Sequence, residues 1–296
     1  MEFELDEDQQ LLRRTVRETV AKVRGRPEDQ QWSTYRRLGW LEAPPLELVL
    51  ILEELGYAAD PTPFLATATW FAPLTGRLPD GSGTAVFDGA GRYVLDADRA
   101  DEVALLTSDG VVVVPGAELA ARRVLVLDPN LHVAEVEAGA LTKAGALGEA
   151  GALTEGVPDL ALAGLAATAV GACRRILDLS LEHVKRRVQF GRPIGSFQAV
   201  KHKAADMHVA IERARALTHF AALTIAEDDP RRTRAAHMAK AAAGECQRMV
   251  FRHGLQLFGA MGFTWENELQ YHLKRAQACD LLLGTASAHR KALLAS

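Results

Sequence analysis

The sequence predicts a mainly α-helical fold with a small β module set between two helical regions. Three observations carry this. Apolar residues recur every three to four positions over residues 6–74 and again from Pro158 onward. Short β-branched runs separated by Gly, Asp and Pro fill the stretch between. Of the 296 residues 48% are hydrophobic and 24% charged, with a net charge of -4, the balance of a folded globular chain of one or two domains.

The expected division is a helical domain over 1–75, a reduced β domain over 76–151 and a helical bundle over 152–296. In the first, Leu11, Leu12, Val16, Val20 and Val23 mark one helix and residues 32–41 a second. Pro44 and Pro45 open a third, whose stripe is Leu46, Val49, Leu50, Leu52 and Leu55, ahead of Gly56 and the break Asp60-Pro61-Thr62-Pro63. The β-like runs are 84–87, 93–95, 103–106, 111–114 and 124–127, read as a compact antiparallel module, with the Gly- and Ala-rich stretch 137–151 as linker.

Pro158 begins a helical run to Arg187. A second long helix carries Phe197, Val200, Ala204, Met207, Ile211, Ala214, Leu217 and Ala221 and ends at Asp228-Asp229-Pro230. A third carries Ala235, Met238, Ala242, Cys246, Met249, His253 and Leu257. So many alanines on these faces predict closely approaching helices in a bundle.

Several function classes are set aside. A small acidic net charge with short, interleaved basic runs gives no footprint for nucleic acid. The N-terminus is acidic where a targeting peptide is basic, and no stretch is read as long enough to cross a membrane, so a cytoplasmic protein is expected. Cys173, Cys246 and Cys279 are odd in number and lie in helical patterns, which predicts buried free thiols. No two of the nine histidines stand three or four residues apart, so no metal site is expected.

Two segments are too particular for a generic bundle. One is Arg187-Val188-Gln189-Phe190-Gly191-Arg192-Pro193-Ile194-Gly195-Ser196-Phe197-Gln198, followed by Ala205-Asp206-Met207. The other is Gln256-Leu257-Phe258-Gly259-Ala260-Met261-Gly262-Phe263-Thr264-Trp265-Glu266-Asn267-Glu268-Leu269, ending in Leu273-Lys274-Arg275-Ala276. Both resemble the acyl-CoA dehydrogenase family, the second matching its Gln-x-x-Gly-Gly-x-Gly-[Tyr/Phe] turn. Glu54-Leu55-Gly56 and Pro61-Thr62-Pro63-Phe64-Leu65 are similar to its N-terminal helical domain. The Phe-Thr-Trp-Glu and Leu-Lys-Arg-Ala forms resemble the branch used in actinobacterial steroid side-chain degradation.

The resemblance implies FAD as cofactor, contacted by Arg187, Gln189, Phe190, Gln198, Gln256 and Gly259 but held mainly by a neighbouring subunit. The residue chemistry agrees: a guanidinium fork suits diphosphate oxygens, and an aromatic face suits an adenine. Taken singly, Arg187 reads as a solvated helix-end cation and Phe190 as a core aromatic.

The sequence also departs from the family. The reaction needs a carboxylate to take the α-proton of an acyl thioester while the β-hydride goes to flavin. The family's two positions for that glutamate fall on Ala161 and, in Leu281-Leu282-Leu283-Gly284-Thr285, on Leu283. The family's Thr-Glu-Pro-x-Ala/Gly-Ser-Asp stretch has no counterpart over 76–151, and the chain is shorter than a usual member. Of the substitutes, Glu155 and Asp159 lie nearest the first position. Asp159 reads as a first-turn acid, Asp280 as a cap of the final helix, and Glu266 and Glu268 as first-turn acids. Trp265 reads as a packing residue, and His202 and His208 as solvated.

The leading expectation is a non-catalytic subunit, the partner of a catalytic acyl-CoA dehydrogenase subunit in an α2β2 assembly. It would share FAD, act on an acyl-CoA held mainly by the partner and pass electrons to an electron-transfer flavoprotein. Two alternatives stay open: a flavin-free homodimeric scaffold or ligand-binding protein, and a homodimeric flavoenzyme with a displaced base.

Overall fold

The computed structural model describes residues 4–87, 93–107, 110–126, 128–136 and 156–295. Helix α1 (Glu7–Val23) is started by a reciprocal cap between Asp6 and Gln9 and buries Val16, Val20 and Val23. Helix α2 (Glu28–Arg37) begins four residues before the expected start, where Pro27 precedes the first-turn acids Glu28 and Asp29. It stops at Gly39, whose φ of 69° only glycine adopts freely, so Trp40 and Leu41 sit on a separate 3-10 turn.

Helix α3 (Pro45–Ala58) opens on a proline, as expected, and is buried on every side, including Glu53 and Glu54. Helix α4 (Phe64–Ala66), a π turn (Thr67–Phe71) and helix α5 (Ala72–Thr75) complete the N-terminal region.

The strands are β1 (Gly83–Phe87), β2 (Tyr93–Leu95), β3 (Glu102–Thr107), β4 (Gly110–Pro115), β5 (Ala121–Val124) and β6 (Val133–Val136). They form two three-stranded sheets, ordered β1-β3-β4 and β2-β6-β5. The expected all-antiparallel module is corrected here, because β1 pairs with β3 in parallel. Strand β2 leaves to the second sheet, so the chain returns to β3 in the direction of β1. The run expected over 124–127 is also shifted. Strand β5 takes 121–124, with Arg122 opposite Glu135 and ion-paired to it at 2.7 Å, while Leu125 is 97% exposed. Cross-strand pairing overrides the local apolar run. The linker expected over 137–151 lies outside the described residues.

The C-terminal region is α6 (Asp159–Arg186), a hairpin of β7 (Val188–Gln189) and β8 (Arg192–Pro193), α7 (Gln198–Ala226), α8 (Arg232–Phe258), α9 (Leu269–Leu281) and a short α10 (Ala286–Ala295). Helix α6 packs against α3, α7, α8 and α9. Contrary to expectation, α6 is long and apolar enough to cross a membrane, but most of its apolar stretch is buried by those neighbours, as in a core helix. Its contact with α3 is backbone-close. A Cβ on Gly171 would lie 1.9 Å from the Glu53 carbonyl oxygen, and one on Gly56 2.2 Å from that of Thr168.

Charge locks the same junction. Glu53 accepts from Arg13, Arg174 and Arg215, and Glu54 from Arg13, Arg17 and Arg174. Burial alone would raise the Glu54 carboxyl, but the Arg17 hydrogen bonds and the Arg174 charge outweigh it and hold it at about 2. On α9, buried Arg275 donates to Asp128 (2.6 Å), to the Asp60 carbonyl (2.8 Å) and to the Asn130 carbonyl (3.1 Å), tying the bundle to the β module and the N-terminal helices.

Candidate cofactor-contacting site

Helix α6 ends at Arg186, α7 begins at Gln198 and α8 ends at Phe258, so three helix termini meet at one end of the bundle. Direct contacts hold them together. The His183 ring stacks on Phe258 at 4.4 Å between centroids, and Lys203 Nζ donates to Gln256 Oε1 at 2.8 Å, joining α7 to α8. All six residues expected to meet a cofactor therefore lie at this end, although Gln198 and Gln256 are 58 positions apart in sequence.

The hairpin between α6 and α7 turns on Phe190 (φ 54°) and Gly191 (φ 76°). Two consecutive residues with positive φ make the tight turn of a two-residue hairpin, and that backbone is costly for an aromatic residue. The strain presents the Phe190 ring outward, 90% exposed. Among the described residues its ring neighbour is Phe197, edge-on at 6.1 Å, over which the Arg192 guanidinium lies at 4.3 Å. Phe190 is thus not a core aromatic.

Gln189 Nε2 donates to the adjacent Val188 carbonyl. Among the described residues nothing pairs with the Arg187 guanidinium or the Gln198 amide. Burial and the Arg187 charge push the His183 imidazole below its ordinary range. Helix α8 stops at Gly259 (φ 61°), where a Cβ would meet nothing within 4 Å, and a 3-10 turn (Gly259–Phe263) follows. Lys185, Arg186, Arg187, Arg192, Lys201 and Lys203 surround this face. Unpaired guanidinium, amides, an open glycine turn and a bare aromatic ring fit the adenosine diphosphate end of a dinucleotide.

The opposite end is different in kind. Ala161 is wholly buried, and Leu283 packs against the same apolar cluster. Ala161 and Arg187 lie 26 positions apart along α6, which is roughly 40 Å at a rise of 1.5 Å per residue. The acids weighed as substitutes are paired, exposed or outside the described residues. Asp159 accepts from Thr233 and lies 3.4 Å from Arg232. Asp280 Oδ1 accepts from the Ala286 amide at 2.9 Å, capping α10 as expected. Glu155 lies outside the described residues. Glu268 is held by Arg24, Arg175 and His272, which keep its carboxyl well below the usual range, and Glu266 is exposed.

Two features escaped the sequence. His237 and His289, 52 positions apart, place their Nδ1 atoms 2.7 Å from each other, and His289 Nε2 lies 3.0 Å from the Leu283 carbonyl. That carbonyl can only accept, so His289 carries its proton on Nε2 and accepts at Nδ1 from His237. Burial and the Lys240 charge push the His289 imidazole down to about 4. Buried Lys240 donates to the Asp280 and Gly284 carbonyls, and burial lowers its ammonium to about 8. Trp265 was expected to be a packing residue, yet it is 73% exposed, with Lys274 Nζ 4.2 Å from its ring centroid. His202 and His208 are exposed and the three cysteines are buried free thiols, as expected.

A family model described as acyl-CoA dehydrogenase, C-terminal domain, matches residues 162–296. Over 294 residues the chain is 34% identical to acyl-CoA dehydrogenase IpdE2 of Mycolicibacterium smegmatis, covering 96% of this chain and 86% of the relative. The chain belongs to the acyl-CoA dehydrogenase family. IpdE2 of Mycobacterium tuberculosis is 31% identical over 313 residues, covering 94% and 93% of the two chains. Among solved structures, the ChsE4-ChsE5 complex from Mycobacterium tuberculosis matches with a TM-score of 0.80 at 20% identity, covering 100% of this chain and 98% of that one. The steroid ACAD Tcur3481-Tcur3483 matches at 0.78 and 20% identity, covering 98% and 97%. At such identities the structures show a shared fold. The family is FAD-dependent, and the hairpin end has the chemistry to contact that cofactor.

Proposed function

We propose that this chain is the non-catalytic half of a heteromeric acyl-CoA dehydrogenase and that it completes an FAD site on a catalytic partner. One observation carries the proposal. The cofactor-fitting end lies roughly 40 Å along α6 from Ala161, the first position where the family's catalytic glutamate would fall, and Leu283, the second, packs against the same apolar cluster as Ala161, so the two ends serve different sites and only the hairpin end keeps its chemistry.

In this reading Arg187 grips the diphosphate, Phe190 covers the adenine, Gln189, Gln198 and Gln256 hydrogen-bond to ribose or diphosphate, and Gly259 lets the backbone approach. FAD, when bound, supplies the hydride acceptor for forming a 2,3-enoyl-CoA. The partner supplies the carboxylate that takes the α-proton, because Ala161 and Leu283 cannot. In the same reading 1–75 and 152–296 serve as the helical frame and 76–151 as a reduced flavin domain. The pairing in the ChsE4-ChsE5 complex and the steroid ACAD Tcur3481-Tcur3483 support an α2β2 enzyme acting on a steroid-linked acyl-CoA; in this reading it works in the cytoplasm with an electron-transfer flavoprotein as acceptor.

The test is to purify the chain alone and with a co-expressed catalytic subunit, then add an acyl-CoA anaerobically and follow absorbance at 450 nm. The expected result is a colourless single chain and a yellow pair whose colour bleaches. A single chain that is yellow and bleaches with acyl-CoA overturns the proposal and requires a displaced carboxylate.

A further inference from the structure

An open groove of about 740 Å³ lies between the β module and α9, within the size range of small-molecule pockets. Its walls are apolar, with Val126, Phe263, Leu273 and Leu281 along it and the rings of Tyr93 and Trp265 at its edges. Phe263 is 75% exposed and Leu281 60%, so these side chains stand uncovered.

The charged groups that line it are already paired, with one exception. Asp128 is paired with Arg275 at 2.6 Å. The Gln270 amide nitrogen donates to the Trp265 carbonyl, Gln277 Oε1 accepts from Gln247, and Thr264 Oγ1 donates to the Met261 carbonyl. Lys274 is the exception. Its ammonium meets only the neutral Gln270 Oε1 at 2.7 Å and the Trp265 ring at 4.2 Å, and among the described residues no carboxylate pairs with it. The groove thus presents an apolar surface with one uncompensated cation, whose complement is an apolar body carrying one negative charge. A flavin dinucleotide is a poor occupant, because its diphosphate carries two negative charges where the groove lining has one cation.

We propose that this groove binds an amphipathic carboxylate, an extended or fused-ring hydrocarbon body lying between Tyr93 and Trp265 with its carboxylate on Lys274. The site belongs to this chain alone and does not depend on the shared flavin. Trp265 reports on it directly, since the other tryptophans, Trp32, Trp40 and Trp70, lie away from the groove lining.

The experiment titrates the protein, in the assembly in which it purifies, with dodecanoate and deoxycholate below their micelle concentrations and with their methyl esters. Tryptophan emission and equilibrium dialysis are the readouts. The expected result is one saturable site per chain for at least one carboxylate, about tenfold or more tighter than its ester. Lys274→Met should remove that preference while leaving the thermal midpoint and the 450 nm absorbance of the assembly unchanged, and Trp265→Phe should remove the emission change while dialysis still shows binding. No saturable binding of either carboxylate, equal affinity for acid and ester, or an unaltered preference in Lys274→Met overturns the proposal. Flavin loss without loss of carboxylate binding counts against the shared-flavin reading only.

Discussion

The two ends of the C-terminal bundle are built from the same helices and put to opposite uses. At the hairpin end the side chains point outward: Phe190 is 90% exposed on a strained backbone, and Arg187 has no partner among the described residues. A folded chain keeps such groups when something else completes them. At the other end Ala161 and Leu283 belong to one apolar cluster, Asp159 is held by Thr233 and Arg232, and Lys240, Asp280, His237 and His289 satisfy one another or the backbone. That end is finished as protein interior. The contrast teaches that a subunit can lose the chemistry of one site and keep its share of another when the two are separated by the length of a helix.

The contrast can be broken most severely by adding a carboxylate where the family has one. Ala161→Glu buries a charge in an apolar cluster without a partner and should cost about 3 kcal/mol or more in urea unfolding. A stable, catalytically active variant would mean the end is still an open site. Acid titration probes the same end more gently. The His289 imidazole is lowered to about 4, so between that value and the unfolded value of about 6.5 the unfolded chain binds a proton that the folded chain refuses. Stability should be full above about pH 6.5 and fall by on the order of 2–3 kcal/mol as the pH drops toward 4, and His289→Asn should flatten that slope.

The hairpin end should behave inversely. Arg187→Ala should leave the thermal midpoint within about 1 °C but weaken FAD retention by the assembly about 10- to 100-fold, the value of one charged hydrogen bond to phosphate, read by equilibrium dialysis of the flavin. The smallest effect is expected from Lys203→Met. Breaking its bond to Gln256 should change stability by no more than about 0.5 kcal/mol and weaken the flavin by about two- to threefold. A large stability loss in either variant would show that this end, too, is structural.

Much of this was legible in the sequence, and the reasons differ by region. The long helices were readable because their apolar period repeats over many turns: the run from Pro158 to Arg187 became Asp159–Arg186. The pairing direction of β1 and β3 was not, since a strand buried along its whole length reads the same either way. Residues of the hairpin end were legible because two contiguous motifs hold all of them. The His237–His289 contact was invisible, joining isolated histidines on two helices. Trp265 misled because aromatic residues are usually buried, and nothing local says that Lys274 rather than a core receives the ring.

Native mass spectrometry of the co-purified assembly, counting bound FAD per chain, tests the central claim most directly. The account predicts two FAD in an assembly of two copies of this chain and two of its partner, falling toward none with Arg187→Ala. Four FAD in that assembly, or one FAD on each copy of this chain purified alone, would contradict it.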